Sequence, residues 1–297
     1  ATAHVYESTL RSFTRFCGVS GVSFNQITRD RLRHYERYLY ECGLKPNTVS
    51  TYMRMLRSIY NRGVESGNAN YVPLLFHEVY TGVAVRQKKA LPVGELHRLL
   101  YEDPGTERLR RTQSVAGLMF QFCGMSFADF AHLEKTSLEQ NILHYNRIKT
   151  RTPMCVEVLD TATEMILLLR NRLPPSPDCP NYLFSILRGD KKRRDWSSYR
   201  EYQSALRNFN NNLKSLARTL RLRCPVTSYT IRHSWATTAK YRGVPIEMIS
   251  ESLGHTSIKT TQTYLKGFEL EERTEVNRMN LCYVKNYFVT KNKKSMC

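Results

Sequence analysis

The chain has 297 residues and carries 45 Lys and Arg against 26 Asp and Glu, for a net charge of +19. A surface with a pI near 9.7 attracts polyanions, chiefly nucleic acid, with an acidic membrane face as the competing partner. No apolar run reaches the length of a membrane span, and no basic stretch followed by an apolar one opens the chain, so no membrane partner or signal peptide is expected and a soluble, cytoplasmic protein is.

The eight cysteines (Cys17, Cys42, Cys123, Cys155, Cys179, Cys224, Cys282 and Cys297) are scattered, with no Cys-x-x-Cys pair and no metal-ligand spacing. They read as reduced thiols, with neither a structural metal nor a cofactor expected. The chain opens at Ala1 instead of Met, which suggests residues upstream. Its length suggests two domains.

From Val5 to about Asn70 the pattern is helical. Leu10, Phe13 and Phe16 recur at three-residue steps, and Leu32, Tyr35 and Leu39 continue the apolar face. Asn25 to Thr28 leads into a second helix, and Gly43 to Thr48, with Pro46 inside, breaks it before a third. Arg29, Arg31, Arg33, Arg37, Lys45, Arg54, Arg57 and Arg62 are interleaved with tyrosines, and a surface that tracks phosphates is expected of them.

A weakly structured linker is expected at about 82–90, and Leu91-Pro92-Val93-Gly94-Glu95 starts the next helix. These divide the chain into a helical domain over 1–85 and a second domain over 86–297. Beyond the linker a buried helix is expected over Ser114–Phe122, followed by a hairpin over Leu138–Leu159 that turns near Thr150–Pro153. Helices follow at Thr161–Arg170, Tyr199–Leu222, Ile231–Tyr241, Ile246–Ser252 and Ser257–Leu265, and the basic run Lys191–Arg194 reads as a surface loop. The fold class is mainly α with a small antiparallel β-sheet.

The chemistry gathers near the C-terminus. Arg232 and His233 lie in Ser228-Tyr229-Thr230-Ile231-Arg232-His233-Ser234-Trp235, and Leu253-Gly254-His255-Thr256-Ser257 precedes Tyr264. An arginine cannot lose its proton and offers a planar fork to two phosphate oxygens. Histidine donates or accepts at the same group, and a tyrosine oxygen can attack phosphorus. Taken alone, Tyr264 is one of eighteen tyrosines, and most such rings are half-buried packing groups.

Context changes that reading. The two boxes closely resemble the C-terminal boxes of the tyrosine recombinases, also called phage integrases, most strongly over about 225–270 and more weakly over most of the chain. The resemblance implies two domains clamped on double-stranded DNA, a core-binding domain over 1–85 and a catalytic domain over 86–297. Tyr264 would be the nucleophile, leaving a 3′-phosphotyrosyl link and a free 5′ hydroxyl. Arg232 and His255 would stabilise the phosphorane, and Lys149, in Tyr145-Asn146-Arg147-Ile148-Lys149-Thr150, would protonate the leaving 5′ oxygen. His233 reads as a packing residue. The resemblance further implies no ATP or metal, a tetramer on synapsed sites, accessory DNA-bending proteins, and a tail from about Glu269 that packs in cis or docks in trans through Leu281, Val284, Tyr287 and Phe288.

Two positions depart from the family pattern. In Cys123-Gly124-Met125-Ser126-Phe127-Ala128-Asp129, Ser126 occupies the slot of a second phosphate-binding arginine, while Asp129 fits the acidic partner. Tyr229 stands where a histidine is usual, and a phenol with an ordinary pKa near ~10 is a poor general base at neutrality. Arg147 is the candidate to replace the arginine, if strand alternation turns it to the same face as Lys149. A cross-strand pair with Glu157 is the alternative. A DNA-binding protein that keeps the fold and has lost cleavage stays open because of the missing arginine, and a relaxing topoisomerase, which shares the chemistry but lacks site choice, stays open too.

Overall fold

The computed structural model describes residues 2–19, 21–84, 90–172, 181–188, 195–265, 274 and 277–282, apart from the side chains of 2, 263 and 264. Within it the chain divides into two units, Ala1–Arg86 and Gln87–Cys297.

The first unit is built from α1 (Thr2–Cys17), α2 (Arg29–Glu41) and α3 (Pro46–Glu65). The Thr28 hydroxyl caps α2 by accepting from the Arg31 amide, and Pro46 opens α3 where its missing N–H costs nothing. Leu32, Tyr35 and Leu39 are buried as their spacing predicts, and Phe13 meets Tyr35 edge to face at 4.9 Å. Leu10, expected on the apolar face, is exposed. Residues 82 to 84 are not loose either. Asn47 and Ala84 exchange hydrogen bonds of 2.9 and 2.8 Å, and the Ser50 hydroxyl donates to the Gly82 carbonyl. The rest of the expected linker, residues 85–89, lies outside the described residues, as does the basic run 191–194.

The second unit holds α4 (Val93–Tyr101), α5 (Glu107–Gln121), α6 (Phe127–Ala131), α7 (Thr163–Leu169), α8 (Trp196–Thr219), α9 (Ser228–Tyr241), α10 (Ile246–Ser252) and α11 (Ile258–Tyr264). A three-stranded antiparallel sheet of order β1 (Leu138–Glu139), β2 (Ile142–Asn146) and β3 (Pro153–Glu157) completes it. The sheet holds one strand more than the expected hairpin, because Gln140 and Asn141 take left-handed conformations (φ 46° and 64°) and turn β1 tightly onto β2. α5 starts at Glu107, seven residues before the expected Ser114, under a Thr106 cap. α6 falls between expected elements; at five residues it has no periodicity to read.

α5 lies at the centre of this unit and packs against α4, α7, α8 and α9. Phe130 stacks on Phe184 at 4.5 Å and Phe127 on Phe209 at 4.7 Å, which ties α6 to the strap at 181–188 and to α8. α9 is buried on most of its surface although it is rich in Ser, Thr, Arg and His. Such a helix is placed by polar contacts more than by an apolar stripe. Among the described residues no helix is long and apolar enough to cross a membrane. Of the tail, Leu281 is exposed, and Val284, Tyr287 and Phe288 lie outside the described residues.

Candidate active site

Thr227 caps α9 in a reciprocal box with Thr230, so the helix begins at Ser228, three residues before the expected Ile231. Arg232 therefore sits in its second turn, with only 3% of its surface exposed. Its Nη1 donates to the Gly124 carbonyl at 2.8 Å and its Nη2 to the Leu253 carbonyl at 2.5 Å. Backbone from the α5–α6 corner and from the end of α10 thus aims one guanidinium.

Gly124 lies against the α9 backbone, where a Cβ would sit 3.4 Å from Arg232 Cα, and Gly254 follows the Leu253 carbonyl. Both are left-handed, at φ 65° and 61°. Ile249 and Leu253 pack with Ala236 in a small apolar cluster that fixes α10 on α9, so the Leu253 carbonyl is held against the arginine.

His255 follows directly. Its Nε2 lies 3.3 Å from Arg232 Nη2 and its Nδ1 2.9 Å from the Thr261 hydroxyl. A guanidinium can only donate, so Nε2 is the acceptor and Nδ1 carries the proton. Burial, then the positive charges of Arg232, Arg147 and Lys149, lower the imidazole pKa to about 4. His255 is neutral at pH 7, and its ring is fixed by Thr261, a fully buried residue on α11 that sequence reasoning passed over.

Arg147 is buried, placed by a turn instead of by strand alternation, and it is not the cross-strand partner of Glu157. β2 ends at Asn146, and Arg147 opens the turn, its amide bonded to the Thr152 carbonyl. Strand alternation therefore does not relate it to Lys149, which is exposed in the same turn. Glu157 pairs with Ile142 in the sheet register, while Arg147 Nε meets Asp129 Oδ2 at 3.3 Å. Arg147 Nη1 donates to the carbonyls of Leu253 at 2.9 Å and Gly254 at 3.0 Å.

Ser126 caps α6, accepting from the Asp129 amide and donating to Asp129 Oδ2 at 2.7 Å. Asp129 is buried too, and its other oxygen accepts from the Ile148 amide at 2.9 Å. One carboxylate therefore fastens the β2–β3 turn to α6. Tyr145, at the foot of that turn, has its phenol pKa pushed up by burial first.

Tyr229 lies in the first turn of α9 and is 59% exposed. It is close enough to Tyr202 that its charge adds to burial in pushing the Tyr202 phenol up to about 12. His233 is buried, its ring 6.4 Å from that of Tyr229. Tyr264 is the last residue of α11, nine positions after His255, and its side chain lies outside the described residues.

In the first unit the basic positions separate by what they touch. Arg33 is committed to Asp30 and Glu78, Arg29 donates to the Pro73 carbonyl, and Arg62 lies over the Tyr6 ring. Arg37, Lys45 and Arg57 are exposed.

Arg232 and Arg147 thus share the Leu253 carbonyl at the end of α10, and His255 meets Arg232 beside it, with Lys149 near enough to depress the same imidazole. The set is suited to a tetrahedral anion. The backbone acceptors and Thr261 carried no signal in the sequence, since any residue supplies a carbonyl.

Residues 93–270 match the family model described as the phage integrase family, and residues 1–79 match that of the phage integrase SAM-like domain. The tyrosine recombinase XerD of Listeria monocytogenes is 24% identical over 272 residues, covering 89% of this chain and 86% of that protein. Among solved structures, the Tn1549 transposon integrase in complex with a circular intermediate DNA superposes with a TM-score of 0.63 at 14% identity, covering 85% of this chain and 86% of that one. A lambda integrase dimer bound to a COC′ core site gives 0.60 at 13% identity, covering 89% and 90%.

Proposed function

The chain belongs to the phage integrase family, the tyrosine recombinases, and from that premise we propose that it cuts and rejoins double-stranded DNA at specific sites through a 3′-phosphotyrosyl intermediate. The observation that carries the reading is the convergence of Arg232 and His255 on the end of α10, nine residues before Tyr264.

The Tyr264 oxygen attacks the scissile phosphorus and the bond to the 5′ oxygen breaks. The neutral Nε2 of His255 is in the acceptor state and takes the phenol proton; the Lys149 ammonium gives a proton to the departing 5′ oxygen. Arg232, held by backbone carbonyls and always charged, binds the non-bridging oxygens and offsets the charge that builds on them. Rejoining runs the same steps in reverse, and the phosphotyrosyl bond conserves the strand's energy.

The first unit, with Arg37, Lys45 and Arg57 exposed, holds the duplex by its phosphates. Assembly as a tetramer on paired sites, with accessory DNA-bending proteins, belongs to the same reading.

Ser126 favours a second reading, a protein that binds sites without cutting, because a serine brings no charge to the slot. The test is covalent trapping on a nicked duplex, its sequence taken from inverted repeats sought in the DNA that flanks the gene. Wild-type protein forms an adduct and Tyr264→Phe binds without forming one. Binding with no wild-type adduct selects the second reading, and an adduct with Tyr264→Phe moves the nucleophile to another tyrosine, for which the partly exposed Tyr241 is next to be tested.

A further inference from the structure

Ser126 leaves the phosphate site one cation short, and the deficit falls where the site gathers most charge. Arg147 comes from a different element, the β2–β3 turn, yet its Nη1 and the Nη2 of Arg232 donate to the same Leu253 oxygen, at 2.9 and 2.5 Å. Two guanidinium groups therefore meet at one point.

Like charges brought together in a buried place repel unless an anion lies between or beside them. Asp129 is the one carboxylate paired there among the described residues, and it accepts from Arg147 through Nε at 3.3 Å. Arg232 and Lys149 add positive charge close by, which after burial helps to lower the pKa of the neutral His255 imidazole. Among the described residues Arg147 commits Nε and Nη1 and gives Nη2 no hydrogen-bond partner, so one donor is left for a ligand.

We propose that Arg147 supplies the second guanidinium to the scissile phosphate, in place of the arginine that position 126 lacks, and that Asp129 is its positioning residue. The inference rests on the cleavage reading above. Asp129 stands three residues after Ser126 and ties the α6 cap to the turn, with Ser126 Oγ, Arg147 Nε and the Ile148 amide all bonded to its carboxylate. The serine hydroxyl is short enough to be spent on that carboxylate, whereas a long cation there would compete with Arg147 for it.

A buried arginine can also serve only to fasten the turn to α10, so the test must separate charge from fastening. Single-turnover rates of phosphotyrosyl formation are measured with the full chain on the nicked duplex, and on the same duplex with a neutral methylphosphonate at the scissile position. Arg147→Ala is expected to lose about 10²- to 10³-fold on phosphate with DNA binding retained, the range seen when one transition-state donor is deleted. On methylphosphonate the loss is expected to shrink by at least about tenfold, because the charge that Arg147 offsets is gone.

Arg147→Ala leaves Asp129 buried without its cation, so the double variant Arg147→Ala, Asp129→Asn is measured beside it, and Arg147→Lys keeps the charge if both are unstable. The same dependence on phosphate charge is expected in the double variant and a smaller loss in Arg147→Lys, and adding Ser126→Arg to the double variant is expected to recover part of the rate. Near-normal cleavage by Arg147→Ala or by the double variant, or equal losses on the two substrates, overturns the inference while leaving the cleavage reading intact. A wild-type protein that binds and forms no adduct overturns both.

Discussion

Gly254→Ala puts one methyl group where the site has no room. A Cβ there would lie 2.4 Å from Arg147 Cδ and 2.6 Å from Met154 Sδ, far inside the separation of about 3.5–4.0 Å at which carbon atoms attract. The arginine cannot swing aside freely, because its Nε is paired with Asp129 and its Nη1 with two carbonyls. The left-handed backbone at φ 61° adds a cost of about 1–2 kcal/mol for any side chain beyond glycine.

Gly243→Ala provides the control. Gly243 has the same handedness at φ 77°, and a Cβ there meets nothing within 4 Å, so only the backbone cost of about 1–2 kcal/mol applies. Gly254→Ala is expected to cost about 3–5 kcal/mol in all, the range for breaking a buried ion pair. Its cleavage is expected to fall by about 10²-fold, as a misplacement of ~1 Å at a reacting centre can do. Both tryptophans, Trp196 and Trp235, lie in the Gln87–Cys297 unit, so urea unfolding followed by tryptophan fluorescence reports that unit alone. Equal stability of the two variants, or a Gly254→Ala protein that cleaves like wild type, refutes the reasoning.

The depressed pKa of His255, about 4 against an ordinary 6.5, means that the unfolded chain binds a proton before the folded one does. Its contribution to stability is complete above pH 6.5 and is lost as pH falls from there through about 4; His255→Gln should flatten that part of the stability–pH curve, and an unchanged curve would contradict the assignment. DNA affinity should fall log-linearly with salt as phosphates exchange counterions for Lys and Arg, and salt-insensitive binding would remove the phosphate-tracking surface. On the proposed mechanism, in which Arg232 and Lys149 supply the charge that a metal otherwise would, cleavage should survive EDTA; loss on chelation with recovery in Mg²⁺ would point to a metal-dependent nuclease.

Local rules made much of this chain readable before any fold was known. Thr28 and Pro46 announce α2 and α3, because a cap and a restricted φ act on their immediate neighbours. Leu32, Tyr35 and Leu39 share one helical face, and all three are buried. Arg232, His255 and Tyr264 stand at a spacing that two boxes of sequence display directly.

Tertiary structure decided what those groups touch. The bond from Arg147 to Asp129 joins residues 18 apart, and those from Arg147 and Arg232 to the Leu253 carbonyl join residues 106 and 21 apart. A backbone carbonyl has no sequence signature, so neither contact could be read from composition or period. Alternation along β2 does not reach Arg147, because the strand stops at Asn146, where β2–β3 pairing gives way to the turn that Asp129 fastens. His255 likewise looks like any histidine in sequence; only its burial beside Arg232, Arg147 and Lys149, with Thr261 fixing the ring, makes it a neutral acceptor. Charge and desolvation act through space, and the fold sets those distances.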